Sequence, residues 1–310
     1  MIFTLIIIII GIFILSTLLL YSVEKISNFF KIPEFIIGFF ILGLGTSLPE
    51  LFLGIFSSLN KVPKFSLGNV IGANIMNLTL VVSIPVLMLR EVRIKSKYIN
   101  FDLNIMFIYS ILPLFLVIDG KLSRFDALIL LSLFFFYLYL IKKQKRIFRK
   151  RVKDTNLKHL VISFILLPVS FSLIFILSQY AVQQAKLISQ MLKLSRLFIG
   201  IFLFSLGTTL PELIINVTSA IKKHKELILG NIVGSVIINS TLVLGVVALI
   251  NPISVKIASL IVPGLFLLAV SFLFITFLFS ERKIDWHEAL SLLLFYIFFI
   301  IVEVTLKEVI

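Results

Sequence analysis

The chain has no cysteine, which excludes a disulfide framework, a thiolate metal site and a Cys nucleophile. Histidine is nearly as scarce. The three, His159, His224 and His287, read as loop residues, so a His-rich metal site within an apolar segment is excluded. Charge is also short: 14% of the 310 residues are Asp, Glu, Lys or Arg, while 60% are hydrophobic. A soluble domain of this size carries about a quarter charged residues. That much apolar surface exceeds what one core can bury, so lipid is the solvent for a large part of it. Acid is the scarcer sign, 15 residues against 29 basic ones. The net charge of +14 does not point to nucleic acid, because the basic residues fall in short loops between apolar runs, where they set membrane orientation. No HExxH, Ser–His or Cys–His constellation lies in an apolar run, so neither an intramembrane enzyme nor a covalent cofactor is expected.

What is present is a series of apolar segments. The first follows no Lys or Arg and is too long for a signal peptide's apolar region. It reads as a transmembrane helix, which takes roughly 20 residues. Ten spans are predicted: Ile2–Tyr21, Phe35–Leu59, Leu67–Leu89, Phe101–Ile118, Ala127–Ile141, Leu160–Tyr180, Leu197–Ala220, Leu227–Ile250, Ala258–Ser280 and Ala289–Leu306. The fifth is short and extends back to Ser123 if the preceding turn is helical. Each satisfies its own backbone hydrogen bonds and is therefore helical. With an outside N-terminus, twenty of the 29 basic residues fall in inside loops, nine of them in Lys142–Lys158. The positive-inside rule thus puts both termini outside. The densest run, Lys142 to Lys153, is a topology anchor and inter-half linker that also suits anionic lipid.

The sequence also repeats itself. Gly45–Val82, GTSLPELFLGIFSSLNKVPKFSLGNVIGANIMNLTLVV, aligns without a gap to Gly207–Leu244, GTTLPELIINVTSAIKKHKELILGNIVGSVIINSTLVL. Seventeen of the 38 positions are identical at a constant offset of 162. Each half carries one copy: residues 1–141 form the first five-helix repeat, 142–159 a basic cytoplasmic linker, and 160–310 the second repeat. An odd number of spans per half inverts the second half relative to the first, a design in which secondary transporters bind substrate near the bilayer midplane.

Within the motif, Glu50 and Glu212 stand well inside their spans, whereas the other acids lie in loops or near span ends. A carboxylate at that depth is costly and faces a partner, a cavity or an ion. Pro49 and Pro211 lack a backbone N–H, which frees carbonyls near Gly45 and Thr46 and near Gly207 and Thr208. Irregular backbone is tolerated at this depth only inside protein or beside water. Carbonyl oxygens, with the hydroxyls of Thr46, Ser47, Thr208 and Thr209, are hard ligands suited to Na⁺ or Ca²⁺. The next span supplies Gly68-Asn69, Gly72 and Asn77, matched by Gly230-Asn231, Gly234 and Asn239. The glycines allow close helix approach. Asn77 and Asn239 are either carbonyl ligands or interhelical hydrogen-bond residues.

The paired motifs, Gly45–Glu50 with Gly68–Asn77 and Gly207–Glu212 with Gly230–Asn239, resemble the two α-repeats of the cation/Ca²⁺ exchanger superfamily, especially prokaryotic Na⁺/Ca²⁺ exchangers. The resemblance implies an all-α, ten-span, N-out membrane antiporter working by alternating access in the prokaryotic plasma membrane. It implies that Glu50 and Glu212 hold the ions, with Thr46, Ser47, Thr208, Thr209, Asn77, Asn239 and Ser235 giving further oxygens. Ca²⁺ and Na⁺ are then the transported partners. Two positions depart from the family pattern: Asn239 where some members carry Asp, and Ala73 where a Ser hydroxyl often stands. A Ca²⁺/H⁺ antiporter on the same fold is the alternative. A cation channel is the reading from another class, though channels usually place acids in a pore by symmetry between subunits.

Overall fold

The computed structural model describes residues 2–29, 43–93, 99–144, 157–223 and 225–309. The chain is helical almost throughout. In order come α1 (Ile2–Phe29), α2 (Gly43–Thr46), α3 (Leu48–Leu59), α4 (Lys64–Met76), a π-helical stretch (Asn77–Val81) and α5 (Val82–Leu89). Strand β1 (Glu91–Arg93), α6 (Ile99–Leu116), β2 (Lys121–Leu122), α7 (Arg124–Gln144) and α8 (Leu157–Met191) follow. The second half continues with α9 (Arg196–Ile199), a π-helical stretch (Gly200–Phe204), α10 (Ser205–Ile221) and α11 (Lys225–Ile238). A third π-helical stretch (Asn239–Val243), α12 (Leu244–Ile250), β3 (Ile253–Ser254), α13 (Ala258–Glu281), β4 (Lys283–Asp285) and α14 (Trp286–Val309) complete it.

Among the described residues, seven continuous helical segments are long and apolar enough to cross a membrane. Three shorter apolar helices, Phe3–Leu15, Leu48–Leu59 and Phe101–Leu116, occupy the places of the other predicted spans. The start of the second predicted span and most of the basic linker lie outside the described residues. The fifth span does reach back, starting at Arg124. The sixth is longer than predicted, since α8 continues past Tyr180 to Met191. Its extension is amphipathic: Ala181, Val182, Ala185 and Ile188 are buried while Gln183 is exposed, so the helix outlasts its apolar composition. Two histidines are not loop residues. His159 lies in the first turn of α8 and His287 in that of α14, and His224 is outside the described residues.

The repeat offset reappears in the details of the fold. Strand β1 pairs with β4 and β2 with β3, both antiparallel, and the offset exchanges one ribbon with the other. The strands β1 and β2 flank α6, a helix of 18 residues, about 27 Å at the usual rise. The two ribbons therefore sit at opposite ends of the bundle, and repeat mates β1 and β3 lie on opposite faces. The starts of α7 and α14 are also mates. Ser123 N–H donates to Asp126 Oδ2 at 2.8 Å, and Asp126 N–H to Ser123 Oγ at 3.3 Å. Asp285 N–H donates to Glu288 Oε2, and Glu288 N–H to Asp285 Oδ1, both at 2.9 Å. Each is a reciprocal capping box. Lys61 and Lys223, mates again, end their helices at positive φ, 58° and 60°.

One large apolar core joins α4–α7 with α10–α14. A second, smaller one ties α1 and α8 to α3. Where α4 crosses the start of the seventh predicted span, backbones touch. A Cβ on Gly68 would stand 2.1 Å from Leu197 O, one on Gly72 2.2 Å from Ile201 O, and one on Gly200 2.3 Å from Phe65 O. Only glycine fits there, as the spacing of small residues anticipates.

Candidate cation-binding site

Two helices carry the carboxylates. In the first repeat the helix is interrupted at Ser47, between α2 and α3, with Pro49 two residues beyond it. In the second repeat, α10 runs unbroken through Pro211, and the irregularity lies earlier, in the π-helical stretch Gly200–Phe204. A break beside the proline thus occurs only in the first repeat, and the carbonyls expected to be freed near Gly207 lie in continuous helix because α10 takes Pro211 within it. The crossing segments are more alike. Asn77 and Asn239 each open a π-helical stretch of five residues at the same repeat position. Such bulges often mark functional sites, because the extra residue re-aims side chains and leaves carbonyls free.

All nine predicted site residues are buried, none more than 2% exposed: Thr46, Ser47, Glu50, Asn77, Thr208, Thr209, Glu212, Ser235 and Asn239. None of the four carboxylate oxygens of Glu50 and Glu212 has a geometrically sound hydrogen-bond partner, although all are sealed from solvent. The two acids act on each other electrostatically. The Thr208 hydroxyl acts on Glu50 and the Thr46 hydroxyl on Glu212, a crossed pair related by the repeat. Ser47 Oγ, Asn77 Oδ1 and Asn239 Oδ1 are also buried without partners. Buried polar atoms are normally satisfied, and an unpartnered one costs about 1–3 kcal/mol, more when charged. Seven such oxygens, with no cationic side chain acting on the two acids among the described residues, suit a cation as the missing partner.

The other predicted oxygens are engaged. Thr46 Oγ1 lies 3.2 Å from Ser235 Oγ, joining α2 to α11. Ala73 offers no hydroxyl at the mate of Ser235, and Thr208 Oγ1 instead donates to Asn69 Oδ1 at 3.1 Å. Thr209 donates to the carbonyl of Ser205 on its own helix and touches Met76 Sδ at 3.5 Å. Further polar residues escaped the sequence reading. Asn74 donates to Ser240 Oγ at 2.8 Å, and Asn239 donates to Asn74 Oδ1 at 3.4 Å. Asn231 donates to Asn216 Oδ1 at 3.1 Å. The mates of Asn74 and Asn216 are Val236 and Gly54, so the repeat gave no signal for them. Asp102 and Glu303 are also buried, in α6 and α14, and Tyr137 donates to Asp102 at 3.3 Å. No cluster of three His, Cys, Asp or Glu side chains occurs among the described residues.

The family model for the sodium/calcium exchanger protein matches residues 1–143 and 162–305. The chain belongs to that family. Its relatives in the family include the sodium/calcium exchanger MaX1 of Methanosarcina acetivorans, 25% identical over 325 residues, covering 91% of this chain and 92% of MaX1. The inner membrane protein YrbG of Escherichia coli K12 is 28% identical over 244 residues, 76% of this chain and 75% of YrbG. Among solved structures, the sodium-calcium exchanger NCX_Mj soaked with Na⁺ and Ca²⁺ superposes with a TM-score of 0.69 at 26% identity, covering 95% of each chain. The H⁺/Ca²⁺ exchanger CAX gives a TM-score of 0.78 over 97% of this chain and 85% of its own, at 18% identity, which establishes the common fold alone. As a family member with apolar helices throughout, the chain is an integral membrane protein.

Proposed function

We propose that this exchanger-family protein is a secondary antiporter that moves Ca²⁺ against Na⁺ by alternating access, through ten spans in two inverted repeats with both termini outside. The observation that carries the reading is the pair of buried, unpartnered carboxylates, Glu50 and Glu212, at equivalent places in the repeat. Their two charges match one Ca²⁺, a hard cation that takes six to eight oxygens. Ca²⁺ sits between them, and Na⁺ occupies overlapping positions completed by Ser47, Asn77, Asn239 and the hydroxyls of Thr46, Thr208, Thr209 and Ser235. Ions that share carboxylates exclude one another, and this exclusion is the basis of exchange. The driving force is the Na⁺ gradient plus about 2.3 kcal/mol per net charge per 100 mV. The crossed pairing of β1 with β4 and β2 with β3 supports the inversion, because it sets repeat mates on opposite faces.

Neutral oxygens favour Na⁺ as the counter-ion, since a proton needs only a carboxylate. Ser47 Oγ, Asn77 Oδ1 and Asn239 Oδ1 are unpartnered oxygens of that kind. One observation favours a Ca²⁺/H⁺ antiporter instead. Ala73 removes a hydroxyl, and Thr208 is turned to Asn69 rather than to a serine. The test is ⁴⁵Ca²⁺ uptake into proteoliposomes under separately imposed gradients. Uptake driven by an outward Na⁺ gradient with pH clamped supports Na⁺ coupling. Uptake driven by a proton gradient without Na⁺, and by nothing else, establishes the H⁺ alternative. Single-channel currents would identify a channel.

A further inference from the structure

Asn77 and Asn239 are repeat mates, but their surroundings differ. Asn239 Nδ2 donates to Asn74 Oδ1 at 3.4 Å, and Asn74 Nδ2 donates to Ser240 Oγ at 2.8 Å. Asn74, Asn239 and Ser240 are all fully buried. The offset sets Val236 in place of Asn74 and Leu78 in place of Ser240. Asn77 consequently has no such chain, and neither its Oδ1 nor its Nδ2 has a partner. On Asn239 only the Oδ1 is unpartnered.

A carboxamide is not symmetric. A half-turn about its last bond exchanges an acceptor for two donors, and a cation accepts only the oxygen. An amide is a fixed oxygen for a cation only when something keeps it from turning. Metal sites usually do this through a second residue that takes up the ligand's spare donor. We propose that Asn74, braced by Ser240, is a positioning residue that fixes the Asn239 amide with its oxygen toward the transported cation, and that only one half of the repeat has this brace. Asn77 turns freely and adapts to whichever ion is bound, while Asn239 is a fixed oxygen. The inference rests on the reading of Asn239 as an ion ligand.

The test uses the full-length protein in proteoliposomes, reading half-saturating ⁴⁵Ca²⁺ and maximal rate. The variants are Asn239→Leu, Asn74→Leu and Ser240→Ala, and then Asn74→Leu and Ser240→Ala each combined with Asn239→Asp. Asn74→Leu is expected to raise half-saturating Ca²⁺ about tenfold, the loss typical of an outer partner, with a smaller change in maximal rate. Ser240→Ala shifts it the same way by less, and it carries the comparison if Asn74→Leu does not fold. A carboxylate at position 239 presents oxygen whichever way it turns. In the Asn239→Asp background the same substitutions should therefore move half-saturation by about twofold or less, a coupling that the double-mutant cycle reads directly. A merely structural role for Asn74 would cost the same in both backgrounds. Equal costs, or no cost in the natural background, overturn the brace. If Asn239→Leu leaves half-saturation unchanged, the ligand reading itself fails and the brace falls with it.

Discussion

Replacing Glu212 by Gln should move stability and function in opposite directions. The Glu212 carboxyl group is sealed from solvent and has no sound hydrogen bond. Replacing it removes the cost of burying an unpartnered acid, and the new amide can donate to the nearby Thr46 hydroxyl. An unpartnered buried group costs about 1–3 kcal/mol. At roughly 2–4 °C per kcal/mol, the variant should melt several degrees higher in EGTA. With Ca²⁺ the balance reverses. Breaking a buried charge pair by removing one partner costs about 3–5 kcal/mol, which is on the order of 10²–10³-fold in affinity. The Ca²⁺-induced rise in melting temperature should then vanish at concentrations that saturate the natural protein, and ⁴⁵Ca²⁺ exchange should be lost. Glu50→Gln should behave alike, because Glu50 is equally buried and unpartnered. Thermal unfolding in detergent, with EGTA and across a Ca²⁺ series, checks both halves. A lower melting temperature in EGTA with an intact Ca²⁺ shift would refute the reasoning, because it would make the carboxylates structural.

Gly72→Ala sets a Cβ 2.2 Å from Ile201 O, backbone against backbone, and should destabilise by about 1–3 kcal/mol or more. Gly264→Ala, whose Cβ would meet only Leu114 at 3.5 Å, should be nearly neutral in the same melting assay. Single Cys probes beside Lys143 and Lys223 should react with impermeant reagents only from the cytoplasm, and probes beside Lys61 and Lys193 only from outside. Labelling near Lys61 and Lys223 from one side would rule out inversion. The backbone N–H groups of Glu288 and His287 hold the half-buried Asp285 carboxyl below its ordinary value. A lowered folded value contributes stability above the unfolded value of about 3.9 and loses it as pH falls through the folded one. Asp285→Ala should therefore cost about 1 kcal/mol at neutral pH, with the difference from the natural protein shrinking below about pH 4. Ala73→Ser restores a hydroxyl at the repeat counterpart of Ser235 and should lower the Na⁺ concentration for half-maximal exchange, measured with pH clamped. An unchanged Na⁺ dependence would exclude position 73 from the Na⁺ shell.

Much of the architecture was legible because the chain says it twice. The offset of 162 predicted that Glu50 and Glu212 would be equivalent, and both are buried and unpartnered. The glycines at 68 and 72 were read as contact residues, and carbonyl oxygens fill the space a side chain would need. What escaped was local chemistry beyond composition. Hydropathy ended the sixth span near Tyr180, yet the buried stripe of Ala181, Ala185 and Ile188 carries α8 on to Met191. His287 looked like a loop residue because charged residues surround it, but Asp285 and Glu288 form the capping box that starts α14 ahead of it. The same kind of box, Ser123 with Asp126, starts α7 and was likewise not read from the sequence.

The repeat gives the kinds of ligand, and residues without a like mate decide which oxygens stay free. Thr46 and Thr208 are identical in the alignment, yet Thr46 meets Ser235 while Thr208 donates to Asn69, the counterpart of that serine being Ala73. Ser47 and Thr209 are near-identical, yet Ser47 Oγ has no partner while Thr209 bonds to its own helix. Asn77 and Asn239 are identical, yet only Asn239 is held. The first and third differences coincide with positions where the halves have diverged, 73 against 235 and 74 against 236. An inverted repeat that kept perfect symmetry would offer the ion the same oxygens from both halves. Here the acids remain symmetric and the neutral oxygens do not. On the proposed reading, Ca²⁺ draws chiefly on the symmetric acids while the neutral oxygens that complete the Na⁺ positions differ between the halves, so substitutions that change coupling without abolishing Ca²⁺ binding should be sought among those neutral residues.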